Sequence, residues 1–273
     1  MAVDFKRSFK KCPPFYHGIK SVYIYLNRRS RLCEVPIDIC TNPMGFSFAT
    51  DGWNHLIEQL REFDREGNLR VKDSVLYKFH QQYQPEDMSE ITSSAGFHVA
   101  FKPGLSIYPW GSFNIEKSNY GGVVKDAGRS RFYGPSTLRL VENDFYNLQN
   151  LYKNMKVRGY RPWYFKNSFI GGVFLEKEDG KKKFVVLQGN HRTAILSHLG
   201  HKKILVRYLS GYYKCIREKD MNNWFYVKSG RCSTQDAIAY FDSFFKLSGV
   251  ERVSKMELLE ERNSNVNRFK ERI

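Results

Sequence analysis

The stretch FVVLQGNHRTAILSHLG, residues 184–200, decides the fold. An apolar run rich in valine meets Gly189, and from there the pattern turns helical until Gly200. A strand that passes through a glycine turn into a helix is the unit this reads as. Upstream, Asp179-Gly180 separates two apolar runs, SFIGGVFLEKE and KKKFVVLQ, and predicts a hairpin. Further upstream, ENDFYNLQNLYKNMKVRG predicts a helix with Phe145, Leu148, Leu151, Tyr152 and Met155 on one side. Asp144 is the expected cap of that helix and Gly159 its stop. Downstream, KILVRYL predicts a buried strand, and STQDAIAYFDSFFKL a helix offering Ala237, Ile238, Phe241, Phe244 and Phe245 for packing. The order helix, hairpin, glycine turn, helix, strand predicts a compact α/β (α+β) domain.

The N-terminal half carries weaker signals. SVYIYL and RLCEVPIDIC predict strands. DGWNHLIEQLREF predicts a helix capped by Asp51, with Trp53, Leu56, Ile57, Leu60 and Phe63 at helical spacing. SVLYKFHQQYQP predicts another, ending before Pro85. The glycines, prolines and serines of residues 102–136 predict a long loop, and its aromatics (Tyr108, Trp110, Phe113, Tyr120, Phe132, Tyr133) an ordered one. The tail from Arg252 onward reads as a charged, fraying helix.

Composition narrows the class. The 273 residues allow one large domain or two small ones. No long apolar run spans a membrane, and no secretory leader pattern opens the chain, so a cytoplasmic protein is expected. Five scattered cysteines without a Cys-x-x-Cys pair read as reduced thiols. A net charge of +16 favours polyanionic partners, yet the lysines and arginines form no long basic run. Walker A, Gly-x-Gly-x-x-Gly, Gly-x-Ser-x-Gly and His-Glu-x-x-His patterns are absent, which counts against the enzyme classes that use them. His198 and His201 at a helix end read as a solvated pair.

The glycine turn has chemistry of its own. A helix start presents unpaired N–H groups and partial positive charge, and a glycine lets an anion approach them. Arg192 adds a fork of donors suited to phosphate, and His191 can donate to a phosphate or carry a proton. Gly189, Asn190, His191, Arg192 and Thr193 are therefore candidate phosphate ligands. The plainer alternative makes Gly189 a turn, Asn190 a helix cap, and His191 and Arg192 solvated.

Residues 138–209 resemble the ParB/sulfiredoxin-like superfamily. The pieces that carry the resemblance are VENDFYNLQNLYKNMKVRGYRP, the hairpin, and VVLQGNHRTAILSHLGHKKILVRYL. The resemblance implies a small mixed sheet and a nucleotide held at the Gly-x-His-Arg turn, as in CTP-binding partition proteins, ATP-using sulfiredoxins and kinases of free serine. Sulfiredoxin chemistry needs a cysteine where this chain has Asn190, and a partition protein needs a helix-turn-helix that residues beyond Leu209 do not supply.

The kinase branch fits better. It implies that Glu142, ahead of the first helix, acts as general base on a hydroxyl; His191, able to carry a proton, is the other candidate catalytic residue. Those kinases are acidic where Gln188 stands, so free serine as acceptor and a metal held at that position are both in doubt. Gln188, Arg129, Ser130, Arg131 and Tyr133 are the candidate substrate-binding residues. The expectation is an ATP- or ADP-dependent kinase, with CTP as a further candidate nucleotide and Mg²⁺ on the phosphates. Its acceptor is a hydroxylated small molecule or sugar. The expected division is residues 1–130 as an aromatic-rich, substrate-selecting α/β extension, 131–210 as the nucleotide-binding core, and 211–273 as C-terminal helices and charged tail. The alternative is a non-catalytic nucleotide- or nucleic-acid-binding regulator. A nuclease is disfavoured, since no carboxylate cluster stands ready to hold its metals.

Overall fold

The computed structural model describes residues 32–67, 69–93, 100, 107–115, 132–163, 168–253 and 256. The predicted strand SVYIYL, Arg129, Ser130, Arg131 and most of the charged tail lie outside them. The fold is α+β, built on a six-stranded mixed sheet. Its strands are β1 (Leu32–Pro36), β2 (Cys40–Thr41), β3 (Ile170–Glu176), β4 (Lys182–Gln188), β5 (Lys203–Tyr208) and β6 (Cys215–Arg217). The helices are α1 (His55–Arg65), α2 (Val75–Gln82), α3 (Met88–Ser93), α4 (Leu138–Arg158), α5 (Asn190–His198), α6 (Phe225–Lys228), α7 (Thr234–Lys246) and α8 (Val250–Val253). Among the described residues no helix is long and apolar enough to cross a membrane.

The hairpin β3–β4 forms around Asp179-Gly180 as expected, with Gly180 at φ +84°. β5 runs parallel to β3, β1 antiparallel to β5, β2 parallel to β4, and the strand order is β1-β5-β3-β4-β2. β6 pairs with the far end of β3. The segment RLCEVPIDIC is thus not one strand but two, split by a 3₁₀ turn over Ile37–Ile39. Its two halves sit on opposite edges of the sheet. Pro36 and Cys40 are four residues apart, a reach of at most about 14 Å. Four flat strand spacings would need about 19 Å. The sheet therefore curls until its outer edges are joined through residues 37–39.

Alternation along β4 divides the core. Phe184 and Val186 face α1, α4 and α5, together with Leu56, Leu60, Phe145, Leu148 and Ile195. Val185 faces the other way with Val173 and Leu175, against Phe46, Trp53, Trp110, Tyr240 and Phe241. That period of two is what a sheet covered on both sides requires. Gly172 in β3 is a close-approach position: a Cβ there would collide with the Val185 carbonyl and the Phe184 ring.

Helix boundaries follow side-chain caps. Asn54, not Asp51, accepts from Leu56 N at 3.1 Å and starts α1. Ser74 caps α2 and Ser233 caps α7. α4 starts seven residues earlier than predicted, because Thr137 rather than Asp144 caps it, through Leu140 N, which leaves Asp144 inside the helix. Gly159 ends it at φ +71°. In α7, Ala237, Tyr240, Phe241 and Phe244 are buried, whereas Ile238, expected in the core, is exposed. Tyr108, Trp110 and Phe113 of the long loop are buried, with Tyr108 stacked on Trp110 and Phe113 tilted against both. Cys33, Cys40, Cys215 and Cys232 are free thiols.

Candidate functional site

β4 ends at Gln188, Gly189 takes the left-handed conformation at φ +92°, and α5 begins at Asn190. Gly189 itself occupies the cap position, so Asn190 is not the cap. The helical hydrogen bonds begin with Thr193 N to Gly189 O at 2.9 Å, which leaves the amides of residues 190–192 outside the ladder. A cavity of about 320 Å³ opens at this helix start, lined by Gln188, Gly189, Asn190, His191 and Arg192 with Asp144, Leu151, Leu187, Leu56 and Phe132. Five of the residues singled out from the sequence thus converge on one cavity. Thr193 does not join them: it is fully buried and its hydroxyl donates to Gly189 O at 3.1 Å. Tyr133 is buried in the core behind Phe132. Gln188 accepts from Arg207 Nη2 at 3.4 Å, so its carbonyl is already engaged.

The acidic residue in the cavity is Asp144. Its Oδ2 lies 3.2 Å from His191 Nε2, with the Asp144 side chain 4% and the His191 side chain 16% exposed. Glu142 lines neither this cavity nor the one beside it. The reason is helical phase. Residues two apart on a helix lie about 200° around the axis from each other, and Val141, Asp144, Phe145 and Leu148 define the buried face of α4. A short charge-relay-like pair therefore links two helices, with the imidazole at the rim and the carboxylate beneath it. His80 feels the same carboxylate: burial lowers its pKa, and the charge of Asp144 works against that shift. Its ring also lies 3.1 Å from Ser136 Oγ, in the turn that carries Phe132 to the cavity and Thr137 to the α4 cap.

Two further groups shape the cavity. Asn190 Oδ1 is buried without a hydrogen-bond partner among the described residues. A buried acceptor in that condition wants a donor from a ligand or water. Arg192 donates to the carbonyl of Ser168, and burial holds its pKa below the ordinary guanidinium value. One donor is spent on the backbone; a guanidinium has five.

A second cleft of about 700 Å³ adjoins the first, since Leu151 and Arg192 line both. Arg158, Arg161 and Arg192 face it together with Asn154, Tyr160 and Ser168, and among the described residues no carboxylate lines it. Tyr160 braces this wall by accepting from Ile170 N at 2.9 Å. Neither the second cleft nor Asp144 was anticipated; the Arg158-Gly-Tyr-Arg161 run at the end of α4 was the available signal.

His198, at the other end of α5, is not solvated. It lies 2.8 Å from Asp64, which also accepts from Tyr152 at 2.8 Å and Lys156 at 3.3 Å. That cluster ties α1, α4 and α5 together away from the cavity. Among the described residues no group of three or more His, Cys, Asp or Glu is arranged to hold a metal ion.

Fold and site together define an α+β protein with an anion-suited cavity at a helix start, backed by a histidine–aspartate pair. No family model, no curated protein and no solved structure matches the chain.

Proposed function

We propose that the protein is a nucleotide-dependent phosphotransferase acting on a hydroxyl of a small molecule or sugar. The observation that carries this reading is the junction of two volumes. The cavity at the α5 start holds a proton-handling pair, and it opens through Arg192 into a cleft faced by three arginines. Both volumes fall in the range typical of small-ligand sites. A nucleoside polyphosphate meets Arg158 and Arg161 in the larger cleft and lays its terminal phosphate over the free amides of residues 190–192. The family resemblance of residues 138–209 supports the same placement.

The acceptor hydroxyl enters beside Asn190, whose unpartnered Oδ1 fixes it, and Asp144 holds His191 in place. With Nε2–H donated to Asp144, His191 Nδ1 is the acceptor nitrogen. The hydroxyl oxygen attacks the terminal phosphorus, the P–O bond to the leaving nucleotide breaks, and the hydroxyl proton passes to Nδ1. Asp144 stabilises the imidazolium so formed. His191, oriented by Asp144, thus takes the part expected of Glu142. Mg²⁺ brought in on the phosphates would supply charge neutralisation; among the described residues Asp144 is the one carboxylate lining the cavity.

The test is calorimetric titration of ATP, ADP and CTP with Mg²⁺ present, followed by phosphate-transfer assays over a panel of alcohols and sugars. Absence of binding by all three nucleotides rejects the proposal. Binding without transfer to any acceptor leaves a nucleotide-binding regulator in its place.

A further inference from the structure

A third cleft, of about 500 Å³, lies at the opposite end of the sheet and shares no residue with the first two. It is entered beside β6, which pairs with Phe174–Glu176, whereas Gln188 pairs with Gly171. Three to five residues of strand separate these points, about 10–17 Å.

Three distant segments build it and backbone hydrogen bonds lock them together. Tyr226 N donates to Pro109 O at 3.0 Å, Tyr213 N to Phe113 O at 3.1 Å, and Ile115 N to Gly211 O at 2.9 Å. The floor is aromatic. Trp110 is stacked on Tyr108 and meets Trp224 edge-on at 5.3 Å, while Trp224 packs on Phe241. The half-buried rings of Tyr213 and Phe225 flank this floor.

The polar groups sit on one rim. Asp220 and Asn223 belong to the 3₁₀ helix Glu218–Asn223, in which residues three apart eclipse each other and so share a face. Lys228 and Arg217 line the same cleft. Asp220, Asn223 and Lys228 make no side-chain hydrogen bond or ion pair with another described residue. Charge is balanced here. Arg217 lies 3.9 Å from Glu176, and Lys228 and Asp220 line the same cleft. Three arginines face the other cleft, so a polyanion suits that one and a neutral ligand this one.

We propose that this cleft binds a neutral sugar ring. A sugar hydroxyl both donates and accepts, and the rim supplies an acceptor in Asp220, both functions in Asn223, and donors in Lys228 and Arg217. The apolar face of the ring lies on Phe225 and Tyr213, and the rigid aromatic floor keeps the ordering cost of binding small. The occupant is not the phosphoryl acceptor, which belongs in the cavity at the start of α5. The role is retention of a glycan by a separate site.

The test is binding of the full chain, fluorescently labelled, to an array of neutral and charged mono- and oligosaccharides. Competition by the free sugar and intrinsic tryptophan emission in solution follow. Expected are saturable retention of neutral glycans, a change in tryptophan emission, and a dissociation constant raised at least tenfold in Asp220→Ala/Asn223→Ala. His191→Gln leaves sugar binding unchanged. Circular dichroism verifies that the double variant is folded; should it be unfolded, Lys228→Ala and Phe225→Ala carry the comparison. No retained neutral glycan, affinity unchanged in folded variants, or retention confined to anionic glycans and abolished by salt would each overturn the proposal.

Discussion

His191 on the first turn of α5 and Asp144 on the second turn of α4 are 3.2 Å apart, 47 residues from each other in the chain. In Asp144→Asn the partner charge is gone; in His191→Gln the proton acceptor is gone. Each is expected to lower phosphate transfer by about 10²–10⁴-fold, the usual range for a positioned acid or base. Nucleotide affinity should stay within a few-fold in both. Glu142→Gln is expected to leave turnover within about twofold. Steady-state assays beside calorimetry decide: a Glu142 variant that loses transfer while Asp144→Asn retains it would move the proton route to Glu142.

The arginine-faced cleft has a separate signature. Arg158→Ala and Arg161→Ala each remove a charged donor, and hydrogen bonds to charged groups are worth about 1.5–3 kcal/mol. Nucleotide affinity should therefore fall by roughly 10–100-fold per variant, with the loss measured by titration at low salt. Higher salt should narrow the gap between wild type and variant, since an exposed cleft is screened.

Gly189 is where conformation and site meet. At φ +92° an alanine enters backbone space that costs about 1–2 kcal/mol, and its Cβ would stand 3.1 Å from Ile170 Cγ1. Gly189→Ala is expected to lower the melting temperature and to weaken nucleotide binding together. Thr193→Val removes only the hydroxyl that bonds Gly189 O, so it should cost stability while leaving nucleotide affinity near wild type.

Glu62 gives the fold a pH dependence. Burial pushes its carboxyl up to about 7, with the hydrogen bond from Val75 N at 2.9 Å acting against burial. The unfolded chain ionises this group near pH 4.5, so between that value and about 7 the folded state holds a proton that the unfolded state has lost. Stability from this residue is complete below pH 4.5 and declines as pH rises through 7. Glu62→Gln removes the ionisation, and its Oε1 can still accept from Val75. Above pH 8 it should be more stable than wild type by roughly 2–3 kcal/mol, with the difference closing below pH 5. Chemical denaturation of both proteins across that range is the measurement.

Local signals made some of this legible in the sequence. The Asp179-Gly180 hairpin, the Gly189 turn into α5 and the Gly159 stop all rest on residues whose backbone preferences act within a few positions. What stayed hidden depends on pairing over distance. Thr137 outcompeted Asp144 as a cap, and with that shift of helix start the inward-facing acid changed from Glu142 to Asp144. Asp51 yielded to Asn54 for a similar reason, a competition between cap residues three positions apart. His198 looked solvated because Asp64 is 134 residues away in the chain. The third cleft had no linear motif at all, since Trp110, Cys215 and Trp224 meet only through the sheet and the loop packed on it.

The curl that joins the sheet's edges through residues 37–39 also governs how the chain can be divided. A fragment covering residues 131–210 would keep β3, β4 and β5 and the whole glycine turn, yet it would leave one flank of β4 and one flank of β5 without β2 and β1. Two bare strand flanks on a small apolar sheet invite pairing between molecules. The ten residues from Leu32 to Thr41 act as a staple, closing both flanks with one short run of chain. A fragment trimmed to residues 131–210 should therefore self-associate unless those residues are supplied with it.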